Sequence, residues 1–454
     1  MSYISVSRRG SEDRPAVARY RPRQPRHQLR LLVAALLAGV GGVTWAESPQ
    51  QAVQLALSHD STISAAAAGA TAAGLQAESV ARSALPLLTL GASYQYNSAT
   101  ADISLPVGGQ VQTVSLVQQN TIDTSAGVRW TPFAGFSRQA KIELQRLSSL
   151  LALNSVDAAR VRVALATVTA FRQAQAAQLQ IETLDSGRQR TQLQLDQATT
   201  LEKQGMAKQV DVLSLTIARL DYDQKLISAR ATLEDALSHL ESLTGKRVTV
   251  EHPPTELPNI LLPPLNLEAL QQIKALSIQR DELAASRKLA EAAYYPAISV
   301  NGALHYGLPG ANPIKNEWML YGTAGISLTW SYDWGGTSLA VRAAETNLTR
   351  LSRSDSATRD ELSLAFTKAV RDWHAMKAEA AVIASQLELS RSRMEIVKSQ
   401  YDQGLASTND FNDANLGLTQ AELRYRTQLL ALELAANQID ALSGEPIDQW
   451  SINQ

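Results

Sequence analysis

The chain is written twice, and this limits its possible folds more than any other feature. Gln204-Gly205-Met206-Ala207, followed by Asp211, returns as Gln403-Gly404-Leu405-Ala406, followed by Asp410. Forty residues separate Gly205 from the glycine of Leu243-Thr244-Gly245, and forty separate Gly404 from that of Leu442-Ser443-Gly444. Between these anchors an apolar seam recurs: Leu226, Leu233, Ala236, Leu240 and Leu243 match Tyr425, Leu432, Ala435, Ile439 and Leu442. Steps of three and four residues are the spacing of helices packed as a coiled coil. Upstream, Trp130 and Gly135 match Trp330 and Gly335, and Leu85-Pro86 matches Tyr295-Pro296 at a slightly different offset. Shared low complexity could mimic the seam but not the two equal glycine-to-glycine intervals. The chain is an internal repeat.

Proline placement shows how each half is built. No proline lies between Pro132 and Pro253 or between Pro313 and Pro446. Proline breaks helix interiors, so both gaps permit very long helices, and the Ala, Leu, Gln, Arg and Glu that fill them are good helix formers. The pattern predicts helices over about 50–82, 138–203, 207–243, 266–293, 338–402 and 408–442. At 1.5 Å per residue the two longest reach roughly 100 Å. Two shorter helices stacked end to end match the length of one long helix and can lie antiparallel to it. Gly205 and Gly404 mark the hairpin tips, where glycine supplies a left-handed cap.

Four stretches between the helices alternate with period two, the mark of strands with one apolar and one polar face. In the first half they run through Leu88, Leu90, Ala92, Tyr94 and Tyr96, then Ile122, Thr124, Ala126, Val128 and Trp130. In the second they run through Ile298, Val300, Gly302, Leu304 and Tyr306, then Ala324, Ile326, Leu328, Trp330 and Tyr332. Tyr94, Tyr96, Trp130, Tyr306, Trp318, Trp330, Tyr332 and Trp334 gather at the strand ends, as in an interfacial girdle. Segments 99–119 and 307–317 read as the outer loops. Four strands cannot close a barrel, and lipid tolerates no open sheet edge. Several chains must therefore contribute: two would give eight strands around an interior that side chains fill, whereas three give twelve strands around a lumen and suit a conduit better.

The first 46 residues stand apart. Eight arginines from Arg8 to Arg30 precede the apolar run Leu31–Val43, and Thr44-Trp45-Ala46 offers small residues for cleavage. This predicts a secretory signal over 1–46. Beyond it no apolar run is long enough for a membrane-spanning helix. Removing the leader leaves a net charge of −7, so nucleic-acid binding has no electrostatic support. Cysteine is absent, which excludes disulfides and thiolate sites. The six histidines are scattered without metal-ligand spacing. No nucleophile–base set or phosphate loop is present. The expectation is a non-enzyme without cofactor or metal. The expected domains are a first repeat over 47–246, a Pro-rich linker over 247–265, a second repeat over 266–446 and a short tail over 447–454. Long Ala- and Gln-rich helices also suit an exported filament-like structural assembly, but the four alternating segments and the leader speak for a membrane channel.

Leader, duplicated halves, two strands per half and long helical hairpins together resemble the TolC-like outer membrane factor family across residues 48–446. The Gly205 and Gly404 motifs, with their trailing Leu-Thr-Gly and Leu-Ser-Gly, are its most specific pieces. The resemblance implies a mixed α and β fold, with four transmembrane strands per protomer in a trimeric twelve-stranded barrel and a long α-helical periplasmic barrel below it. It implies a homotrimer in the outer membrane, working with a periplasmic adaptor and an inner-membrane pump or ABC exporter. Drug efflux and type I protein secretion both stay open.

The resemblance also implies a periplasmic gate. Tyr401, Gly404, Asp410 and Asp413 match the family's gating helix, and Asp211 matches the aspartate to which the tyrosine hydrogen-bonds. Two acids three residues apart share a helix face, and threefold symmetry would ring the entrance with six carboxylates. Ala406 and Val210 stand where the family has an arginine and a threonine, so that second latch is missing. The local reading of the same residues stays open: Ser407-Thr408-Asn409-Asp410 also fits a capping box, an acid in a first turn suits the helix dipole, and Tyr401 could simply pack at the hairpin shoulder.

Overall fold

The computed structural model describes residues 47–453, apart from positions 109, 116, 313 and 314. The leader expected over 1–46 lies outside the described residues. The elements run α1 (Pro49–His59), α2 (Ser61–Arg82), β1 (Leu87–Tyr96), β2 (Asp102–Val107), β3 (Gln110–Ser115), β4 (Asn120–Ala134), α3 (Ser137–Lys203), α4 (Gln209–Thr244), α5 (Gln271–Glu291), β5 (Ala297–Leu308), β6 (Met319–Thr329), α6 (Gly336–Asp402) and α7 (Thr408–Ser443).

The helices α3 and α6 each hold 67 residues without a break, about 100 Å of continuous helix. Along α3, one flank is covered first by α2 and then by α4, and the other by α5 and then by α7; α6 lies beyond α5 and α7. The stacked pairs have 22 and 36 residues, and 21 and 36. This is the length matching that the sequence implies. Apolar clusters such as Phe171, Ala174 and Leu240, or Trp373, Leu432 and Ile439, hold the layer together.

Four boundaries differ from expectation. The helix expected over 50–82 is two, because Asp60 ends α1 and its carboxylate accepts from the Thr62 amide at 2.7 Å to start α2. The helix expected from 266 begins at Gln271, after a 3₁₀ turn over Leu267–Ala269. Segment 99–119 is no plain loop but carries the β2–β3 hairpin. Strand β6 stops at Thr329, so Trp330 and Tyr332 follow it rather than belonging to it.

The main sheet is antiparallel with order β1-β4-β5-β6, so the two halves of the chain meet at its centre. Its register sorts side chains by face. Leu88, Val128, Gly302 and Ala324 form one cross-strand row, Leu90, Ala126, Leu304 and Gly322 the next, and Ala92, Thr124, Tyr306 and Leu320 a third. Leu90 is 89% exposed and Ile326 78%. The opposite face carries Gly91, Ser125, His305 and Tyr321 in one row and Ser93 and Asp123 in another. There the His305 ring stacks on Tyr321, and its Nδ1 lies 3.1 Å from Asp123 Oδ2. Pro132 has no N–H for a ladder and sits in the register shift between Trp130 and Phe133.

Each second strand passes into its long helix through left-handed residues, Gly135 and Phe136 in the first half and Trp334 and Gly335 in the second. A side chain at Gly135 would come within 2.7 Å of the Ala292 carbonyl, so the turn tolerates only glycine. Residues 247–265 wrap the helices: Val248 and Val250 pack beside Phe171, while Ile260 and Leu262 pack beside Trp373. The expected tail is a packed element. Two 3₁₀ turns over Ile447–Gln449 and Ser451–Asn453 bury Trp450 against Val53, Ala164 and Val168. Buried Asp440 accepts from the Ser451 amide and hydroxyl at 2.7 and 2.6 Å.

Candidate channel entrance at the hairpin tips

The two tips are built alike. Gly205 and Gly404 have φ of 76° and 74°, with open space where a side chain would point. Conformation alone therefore selects glycine here. At the first tip the Gly205 amide donates to the Glu202 carbonyl at 2.8 Å and the Met206 amide to Leu201 at 2.9 Å. At the second the Gly404 amide donates to Tyr401 at 2.9 Å and the Leu405 amide to Gln400 at 2.8 Å. Both are Schellman ends, which satisfy carbonyls that a helix terminus would leave orphaned.

The structure brings Tyr401, Asp211 and Asp410 to one place, but not as the resemblance implies. Tyr401 and Asp211 are joined through Thr408. The Thr408 hydroxyl donates to Asp211 Oδ1 at 2.8 Å and lies 3.3 Å from the Tyr401 hydroxyl. Its one proton goes to the carboxylate, so the phenol is the donor in the other bond. The physical reason is placement: Thr408 is the first residue of α7, where its buried side chain comes between the partners. The Tyr401 ring also packs on Phe411, with centroids 5.5 Å apart.

Asp410 closes a capping box. Its Oδ2 accepts from the Ser407 amide at 2.9 Å and the Ser407 hydroxyl at 2.6 Å, while its own amide donates to Ser407 Oγ at 3.2 Å. These bonds, the hydroxyl first, hold its carboxyl below the usual carboxylate range. Asp413 lies one turn further along α7 and is exposed. Val210 is exposed beside Asp211, and Ala406 precedes the cap. Behind the tip, Ala198, Leu215, Leu387, Met394, Phe411, Ala414 and Leu418 form an apolar layer that all four long helices share. Thr408 escaped the sequence reading because a hydroxyl in a cap motif signals only the cap. Among the described residues no group of three or more His, Asp or Glu side chains is placed to hold a metal.

A four-stranded sheet with one apolar face and two unpaired edges, continued by a layer of helices far longer than a bilayer is thick, defines a subunit of a helix-extended transmembrane β-barrel. No described helix is long and apolar enough to cross a membrane. The family model for outer membrane efflux proteins matches residues 52–246 and again 262–445. The chain belongs to the outer membrane efflux protein family.

Solved structures share the fold. The outer-membrane channel OprN aligns with a TM-score of 0.71 at 20% identity, over 88% of this chain and 90% of its own. The outer membrane protein VceC of Vibrio cholerae aligns with a TM-score of 0.71 at 15% identity, over 88% and 100%. The CmeC outer membrane channel of Campylobacter jejuni aligns with a TM-score of 0.73 at 15% identity, over 90% and 88%. No curated protein matches the sequence. The chain is an outer-membrane protein with a periplasmic helical portion, in a family of channels rather than enzymes. The fold they share joins an antiparallel sheet to a layer of long α-helices, a mixed α and β architecture.

Proposed function

We propose that three copies of this chain form one exit conduit from the periplasm to the exterior, with its inner entrance at the hairpin tips. The observation that carries the reading is the pair of unpaired sheet edges, β1 and β6, flanking a sheet whose one face is apolar. An open edge in lipid is untenable, and a second copy offers the missing partner. The flanks of the helical layer support the same closure. On α4, Val210, Leu213, Ile217, Leu220 and Ile227 are exposed at coiled-coil spacing; on α6, Val382, Leu389 and Ile396 are exposed every seventh residue. These seams suit one another across a subunit boundary. In this reading the repeats 47–246 and 266–446 each supply half of a protomer's wall, and residues 247–265 strap them together.

At the entrance, Tyr401, Thr408 and Asp211 tie the α6–α7 hairpin to the α3–α4 hairpin. Asp410 and Asp413, repeated by the threefold axis, ring the opening with carboxylates. The conduit works with a periplasmic adaptor and an inner-membrane transporter, either a pump or an ABC exporter, and that transporter selects the cargo. Because the chain has no cysteine, Ile217→Cys together with Leu389→Cys tests the assembly directly. Oxidation of the membrane-bound protein should give a ladder ending at three subunits. A ladder ending at two, or extending past three, would sink the trimer.

A further inference from the structure

The apolar layer behind the tips is backed by a buried polar cluster that no part of the entrance reading uses. Its centre is Asn415, 1% exposed and seven residues into α7. The Asn415 Nδ2 donates to the Gly187 carbonyl at 3.0 Å and to Thr191 Oγ1 at 2.9 Å, and its Oδ1 accepts from Arg190 Nε at 2.6 Å. All three partners lie on α3. One turn on, Thr419 Oγ1 donates to the Asn415 carbonyl at 2.8 Å. Its proton is thereby committed, and its lone pairs accept from Arg190 Nη2 at 2.9 Å and from the Tyr222 hydroxyl of α4 at 3.3 Å. Glu422 of α7 lies 3.6 Å from the Arg190 guanidinium.

Three features set this cluster apart from ordinary packing. Each donor and acceptor named above has a single consistent direction, so the network is closed. It joins three helices and both hairpins, and all but one bond crosses a helix boundary. It also demands a glycine: a Cβ at Gly187 would lie 2.7 Å from Thr419 Oγ1 and 2.8 Å from the Tyr222 ring. Glycine in the middle of a 67-residue helix is unfavourable, and close approach of α7 and Tyr222 accounts for it. Helices that only needed to pack would use apolar residues here, as the layer next to it does.

The geometry points to this cluster as the latch that sets the position of α7 against α3, and so the width of the tunnel just inside the entrance. The inference rests on the channel reading. Arg190, Asn415 and Tyr222 are positioning residues: they hold the wall and need not touch what passes. A swing or slide of α7 breaks the Asn415 bonds together. In a buried setting each broken bond leaves an unsatisfied group, so small departures of α7 from this position are resisted.

The test uses the full-length trimer in planar bilayers. Asn415→Leu keeps the branched shape and removes the three side-chain bonds; Tyr222→Phe removes only a hydroxyl and preserves packing. The expected result is at least a twofold rise in resting conductance for Asn415→Leu and a smaller rise for Tyr222→Phe, in variants that still assemble as trimers. Arg190→Met combined with Asn415→Leu should add little beyond the single change, because the residues act as one network. If Asn415→Leu fails to assemble, Tyr222→Phe decides. Parental conductance in the assembled variants would overturn the latch. The channel reading has its own control: the parent must conduct, and absence of any channel in the parent would sink that reading instead.

Discussion

The Thr408 hydroxyl donates to Asp211 Oδ1 at 2.8 Å. This contact joins the first residue of α7 to the first turn of α4, so two segments almost two hundred positions apart meet at the tips. The same hydroxyl lies 3.3 Å from the Tyr401 phenol. One oxygen thus donates to the first hairpin and accepts from the second. Neither Tyr401 nor Asp211 reaches the other without it, which makes Thr408 the vulnerable point of the tip.

Thr408→Val should therefore loosen the tips without unfolding the chain. The shape is kept, but a part-buried carboxylate and a phenol lose their partner, at a cost of about 1–3 kcal/mol. Amide exchange around residues 208–213 and 405–411 should accelerate roughly tenfold or more, while the sheet is unchanged. Equal protection in variant and parent would show that the relay contributes nothing.

Gly187→Ala should destabilise the protein although alanine is the better helix former. The propensity gain is about 1 kcal/mol. Against it, the new methyl meets Thr419 and the Tyr222 ring at under 3 Å, and overpacking of this kind costs about 1–3 kcal/mol. A lower unfolding temperature in detergent is the expected result. At Gly417 of α7 an added methyl would meet open space, so the same change there should be neutral or stabilising.

The sheet register makes a two-sided prediction. Leu90→Lys and Ile326→Lys put a charge on the apolar face and should cost about 2–4 kcal/mol where they sit deep in lipid. Thr323→Lys falls on the opposite face, in the row of Thr89, Gly127 and Ala303, and should be tolerated. Heat-modifiable migration of extracted membranes reads this directly. Equal loss of trimer on both faces would refute the assignment of lipid and lumen.

Much of this was legible in the sequence, for identifiable reasons. Glycines forced to positive φ recur at fixed intervals, and proline-free runs set the long helices. Period-two alternation located the four main strands. What escaped depends on partners distant in sequence. Asp60 splits a helix without a proline or glycine to mark it. The β2–β3 hairpin carries Pro106 and mixed polar residues, so no clean alternation marks it. Arg190 and Asn415 look like ordinary surface residues of long helices, and only the crossing of α3 and α7 makes them a buried network. The aspartates were legible as a pattern, but their partners were not: Asp410 bonds Ser407, and Asp211 bonds Thr408.

The capping box gives the acids of the proposed gate a discriminating test. Because Ser407 holds the Asp410 carboxyl below its usual range, the folded state favours the charged form. Its contribution to stability is present above the ordinary carboxylate pKa and is lost as pH falls through the depressed value. Asparagine caps a helix about as well as aspartate, and at the third helical position Asp410→Asn retains an acceptor for Ser407, so α7 should begin where it does now. The charge is another matter. Asp410 and Asp413 lie one turn apart on α7, and in the proposed trimer three copies would place six carboxylates around the entrance. Fixed negative charge in a constriction draws cations and excludes anions. The double variant Asp410→Asn with Asp413→Asn should therefore weaken cation preference in planar bilayers, measured as the reversal potential in a salt gradient, while trimer stability at neutral pH changes little. If selectivity stays at the parental value in a correctly assembled trimer, the acids only shape the start of α7, and the entrance must draw its selectivity from another part of the wall.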